Sequence, residues 1–100
     1  MKEINQLPRQ YRILLVEDEP ANIQMIAGCL STDYTLSIAK TRKKALELLE
    51  DSPFDLMLLD IQLPDGNGFE ICQHVVASRE KYGNISIIFM TSLDSPDDEA

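Results

Sequence analysis

Where apolar runs give way to polar residues, this sequence repeatedly presents side-chain oxygens. Glu17 and Asp18 follow Ile13 to Val16, Asp60 follows Leu56 to Leu59, and Thr91 and Ser92 follow Ile87 to Met90. If these runs are neighbouring parallel strands, three carboxylates and two hydroxyls share one sheet edge. In open parallel sheets that edge, beyond the carboxyl ends of the strands, is where ligands bind. Two carboxylates about 5 Å apart repel by ~3 kcal/mol at an effective dielectric near 20. No Lys or Arg occurs between Glu17 and Lys40 to neutralise them. A hard divalent cation would do so, and magnesium suits one or two carboxylates with waters and a substrate phosphate completing the octahedron. Plainer readings stand beside this one. Glu17 and Asp18 before Pro20 suit a helix start, Asp60 suits a turn, and Thr91 and Ser92 suit a cap. His74, Cys29 and Cys72 fall on helical faces and are read as structural.

The elements that would position these groups follow from hydrophobic periodicity. Arg12 to Val16 reads as a strand buried on both faces. Pro20 opens a helix carrying Ile23, Ile26, Ala27 and Leu30, and residues 31–33 end it. Tyr34 to Ala39 alternates as a half-buried strand, with Leu36 and Ile38 on one face. Thr41 caps a helix striped by Ala45, Leu46, Leu48 and Leu49. After a turn at Ser52 and Pro53, Phe54 to Leu59 forms a third strand ending in Asp60. A Pro- and Gly-rich loop, Leu63 to Gly68, leads to a helix carrying Phe69, Cys72, Val75 and Val76. Residues 82–84 break that helix, Ile85 to Met90 forms a fourth strand, and Ser95-Pro96 starts another helix. Strands alternating with helices imply right-handed crossovers and a parallel sheet covered on both faces.

Composition narrows the function classes. The 100 residues suit one domain, and 9 Lys+Arg against 17 Asp+Glu leave a net charge of −8. That balance opposes a nucleic-acid-binding surface, which needs clustered cations. With 44% hydrophobic and 26% charged residues, the chain is too apolar for disorder. No apolar run approaches a membrane span, the N-terminus has no apolar core for a secretion signal, and two cysteines make no disulfide framework. The expected setting is cytoplasmic, without membrane or direct nucleic-acid partners.

From Arg12 onward the sequence resembles the receiver domain of two-component response regulators. The motifs are Ile-Leu-Leu-Val-Glu-Asp-Glu-Pro at 13–20, Asp-Leu-Met-Leu-Leu-Asp-Ile-Gln-Leu-Pro-Asp-Gly-Asn-Gly at 55–68, and Ile-Ile-Phe-Met-Thr-Ser at 87–92. The resemblance implies an α/β, flavodoxin-like, doubly wound parallel sheet of order 2-1-3-4. It implies a switch domain and not a free-standing enzyme, in which Asp60 accepts a phosphoryl group from a sensor histidine kinase or phosphotransfer protein. Asp18 and Asp60 would hold Mg2+, with the backbone carbonyl of Gln62 completing the site and Glu17 acting through a water. Thr91 would turn its hydroxyl to the new phosphate, and Pro64 and Gly68 would shape the loop.

The family continues to a fifth strand bearing a Lys-Pro pair and a fifth helix, which the sequence does not reach before Ala100. The expectation is therefore a leader at 1–10 and a partial receiver at 11–100, phosphorylated weakly or not at all alone. Its fourth-strand edge, Ile85 to Met90, would be open to self-association. Two other readings are a non-phosphorylated binding module and an aspartyl phosphohydrolase. The hydrolase would want an acid two residues after its nucleophile, where Gln62 stands.

Overall fold

A computed structural model describes residues 11–90. The first apolar run forms β1 (Arg12–Val16), whose Ile13 to Val16 are all buried. Glu19 then leaves the strand in an extended conformation and α1 (Pro20–Leu30) begins, with proline where its missing N–H costs nothing. β2 (Thr35–Ala39) follows, then α2 (Arg42–Asp51), whose Thr41 hydroxyl accepts the N–H of Lys44. β3 (Leu56–Asp60) carries the third run to its terminal aspartate. Two short strands, β4 (Gln62–Leu63) and β5 (Gly66–Asn67), form a hairpin. The chain then runs through α3 (Gly68–Ala77), the single-turn α4 (Arg79–Tyr82) and β6 (Ser86–Met90).

The main sheet is parallel in the order β2-β1-β3-β6. This is the expected order 2-1-3-4, since β6 is the fourth strand of the sheet once the hairpin is set aside. Right-handed crossovers put α1 on one face and α2 and α3 on the other, because the chain reverses direction across the sheet after β2. The core under α2 and α3 joins Leu14, Val16, Met57 and Leu59 to Ile71 and Val75. On the opposite face α1 presents Ile23, Ile26, Ala27 and Leu30 as the spacing predicts, each half-buried, and buries no residue fully.

Two expectations need correction. The helix after Asp60 does not bury Phe69 and Val76, which are about half exposed; Gly68, Ile71 and Val75 face the core. A capping box fixes that phase: Asn67 accepts from the N–H of Glu70, and the Glu70 carboxylate accepts from the N–H of Asn67. Phe69 packs instead on Phe89 of β6, with ring centroids 4.8 Å apart. The segment Leu63 to Gly68, expected as a plain loop, is the hairpin, whose buried Leu63 joins the core. The helix start expected at Ser95-Pro96 lies outside the described residues. Among those residues, no helix is long and apolar enough to cross a membrane.

Candidate functional site

Strand register assembles the acidic group. Val16 pairs with Leu59, so the next residues, Glu17 and Asp60, leave their strands at the same height. The Glu17 N–H bonds to the Ala39 carbonyl, which extends the β1–β2 ladder by one residue and brings Glu17 into the sheet. Among the described residues, Glu17 is the polar one that is buried, at 5% exposure. Its Oε2 accepts the N–H of Glu19 at 3.1 Å and the Asn22 amide at 3.4 Å. These bonds tie it to the entry of α1, although the helix's first-turn N–H groups carry no side-chain cap from it. Asp18 is exposed and Asp60 half-buried. Glu17, Asp18 and Asp60 each offer a carboxylate oxygen, and these lie within 4.8 Å of one another.

The electrostatics of Asp60 carry the mark of that crowding. Burial pushes its carboxyl above the ordinary range, and the Glu17 charge adds to the effect. The backbone N–H of Gln62, 3.4 Å from Asp60 Oδ1, opposes the rise; Asp18 adds a smaller upward push. Three hard oxygen donors converging within 4.8 Å fit a hard divalent cation, which would relieve their mutual repulsion.

The segment after Asp60 is built around its backbone. Gly68 donates its N–H to the Ile61 carbonyl at 2.6 Å. A Cβ on Gly68 would collide with the Asp60 carbonyl oxygen and stand 3.0 Å from Leu59 Cγ, so only glycine fits there. Pro64 sits exposed at the hairpin turn, and Gln62 is exposed two residues after Asp60. Thr91 and Ser92 lie outside the described residues; Met90, just before Thr91, pairs with Asp60 in register. His74 takes no part in the acidic group. Its Nε2 bonds the Tyr82 hydroxyl at 2.9 Å, which in turn donates to Glu50. Sequence reading missed Asn22, which steadies Glu17, and Asp65, which accepts the N–H groups of Arg42 and Lys43. A Pro-Asp pair at a turn was the only signal for Asp65.

This geometry agrees with what the chain is similar to. The family model described as the response regulator receiver domain matches residues 13–100. A probable cyclic di-GMP phosphodiesterase of Vibrio cholerae is 37% identical over 90 residues, covering 90% of this chain and 20% of that protein. The chain thus spans about a fifth of that relative's length. The non-phosphorylated HemR receiver domain from Leptospira biflexa superposes with a TM-score of 0.72 at 33% identity, covering 90% of this chain and 71% of that one. The response regulator TrrA of Thermotoga maritima, in complex with Mg2+-BeF, gives a TM-score of 0.72 at 29% identity, covering 84% and 71%. Register, acidic cluster and family match agree: over residues 13–100, this chain belongs to the response regulator receiver domain family.

Proposed function

We propose that Asp60 is the phosphoacceptor of this receiver and that Glu17, Asp18 and the backbone carbonyl of Gln62 serve a Mg2+ ion beside it. The observation that carries this reading is the convergence of the three carboxylates within 4.8 Å at the carboxyl edge of the sheet. A carboxylate oxygen of Asp60 attacks the phosphorus of a phosphohistidine on a sensor kinase or phosphotransfer protein. The P–N bond breaks, its electron pair returns to the imidazole, which takes up a proton, and an acyl phosphate remains on Asp60. Magnesium, when bound, neutralises charge on the transferring phosphoryl oxygens and on the carboxylates. The chain's own contribution is position. β3 presents the nucleophile, the Gln62 N–H orients one of its oxygens, and Glu17 is held by Glu19 and Asn22. Asp18 would be a direct ligand and Glu17 would act through a water. Thr91, following β6, supplies the hydroxyl that turns to the phosphate and biases a loop between two arrangements. The setting is cytoplasmic signalling.

Incubation with acetyl phosphate and magnesium, followed by intact-mass measurement, tests this. Any phosphoryl uptake by the wild type, however slow, should be of a single group, and none should add to Asp60→Asn. Uptake that persists in Asp60→Asn removes the role from Asp60.

A further inference from the structure

The β4–β5 hairpin carries the backbone nearest the acceptor. Leu63 pairs with Gly66, so Pro64 and Asp65 form its two-residue tip. At its base, Gln62 donates to Asp60 and Gly68 to the Ile61 carbonyl. Its tip reaches a different element. Asp65 Oδ1 accepts the N–H of Arg42 at 2.6 Å and Oδ2 the N–H of Lys43 at 3.0 Å, at the first turn of α2. Those N–H groups have no partner within the helix, and a carboxylate at the positive helix end is favoured. Arg42 answers with its side chain: Nε lies 3.3 Å from the Asp65 carbonyl and 3.5 Å from Glu70 Oε1 at the start of α3. The two backbone N–H groups hold the Asp65 carboxyl below its ordinary range, so it stays charged and bound through the neutral range.

We infer that Asp65 is a positioning residue for the acceptor site: by capping α2 from outside, it tethers the hairpin and thereby holds Gln62 in place against Asp60. The inference rests on the metal and phosphoacceptor reading above. Asp65 does not touch the acidic group. It acts through the short, stiff ribbon between the tip and Gln62. Without it, the tip would keep only the Arg42 Nε contact to its carbonyl, while the buried Leu63 and the base hydrogen bonds at Gln62 and Gly68 hold the rest of the ribbon.

The test compares three variants of the chain labelled with 15N. Asp65→Ala removes the tether, Asp65→Asn keeps one acceptor, and Thr41→Ala weakens the same helix start without touching the hairpin. Mg2+ is titrated against the Gln62 amide resonance, and amide exchange at Gln62 and Gly68 is measured without metal. Outer-shell partners of metal sites cost about 10–100-fold in affinity when lost. The expected result is a loss near the lower end of that range for Asp65→Ala, a smaller one for Asp65→Asn, and none for Thr41→Ala. Exchange should accelerate only in the Asp65 variants. An unchanged affinity in Asp65→Ala, or an equal loss in Thr41→Ala, overturns the inference. If the wild type takes up no Mg2+, the metal reading falls on its own. The exchange rates then decide the tether, and unchanged rates at Gln62 in Asp65→Ala refute it.

Discussion

Replacing Gly68 by alanine sets two effects of opposite sign against each other. Within a helix, Gly→Ala is worth up to about 1 kcal/mol in favour of alanine. Gly68 is the first residue of α3, so on propensity alone the variant should gain stability. The added methyl, however, would overlap the Asp60 carbonyl oxygen and stand 3.2 Å from the Asp60 carbonyl carbon. Ordinary C···O contacts lie at about 3.3–3.6 Å, so the backbone must shift by on the order of 1 Å. Backbone cannot swing aside as a side-chain end can, and overpacking of this kind costs about 1–3 kcal/mol. The shift also stretches the Gly68 N–H bond to Ile61, worth ~1 kcal/mol. The clash therefore wins, with a net destabilisation of about 2 kcal/mol. For a domain of this size that lowers the melting midpoint by on the order of 10 °C. Phosphoryl uptake should fall further than stability, because displacing a reacting group by 1 Å can cost about a hundredfold. Urea unfolding monitored by circular dichroism gives the stability, and acetyl phosphate labelling of the folded fraction gives the chemistry. A Gly68→Ala protein as stable as wild type would refute the argument that close approach, rather than helix preference, decides this position.

Further outcomes follow from the charges. Asp60→Asn should stabilise the metal-free domain at neutral pH by about 1 kcal/mol, the repulsion of a carboxylate pair near 5 Å after solvent screening. Because Asp60 binds its proton more tightly folded than unfolded, its charge destabilises the fold above the raised folded value. That penalty is relieved as pH falls through the folded value, so the gap between variant and wild type should close toward pH 4 in urea titrations. Mg2+ should raise the melting midpoint of the wild type and not of Asp18→Ala, which being exposed should unfold like wild type without metal. At the far end of the sheet, Lys81 and the Tyr82 hydroxyl hold the Glu50 carboxyl below its usual range. Its stabilising contribution is present above the unfolded value and is lost as pH falls through the lowered folded one. Tyr82→Phe should therefore weaken the domain slightly at pH 7 and less at pH 3, read as a shift in urea midpoint.

The parallel sheet was legible because each strand announces itself as an apolar run closed by a polar residue, and register then needs only the common edge. Glu17, Asp18 and Asp60 were legible for the same reason, since a two-residue acidic stop and an Asp at a third strand's end have few places to go. The α3 face was not. Its apolar residues, Phe69, Ile71, Cys72, Val75 and Val76, are compatible with two helical phases, and the choice is made by the Asn67–Glu70 box and by Gly68 against Asp60. The hairpin was hidden because two-residue strands leave no period to detect, and Pro64 and Gly66 read as loop. Asp65 could be seen only with α2 in place, since its partners come from the chain before β3.

Asp60, its hairpin and the close-packed Gly68 occupy one short stretch of chain, whereas Glu17 and Asp18 arrive on a strand laid down much earlier. On the reading proposed above, each part is half a binding site until β1 pairs with β3. A cation that needs all three carboxylates therefore has affinity for the assembled sheet and none for the open chain, and its binding energy becomes linkage between two distant segments. Separation of β1 from β3 would abolish the metal response. Cation affinity at this edge would then report the integrity of the sheet centre as directly as it reports the chemistry.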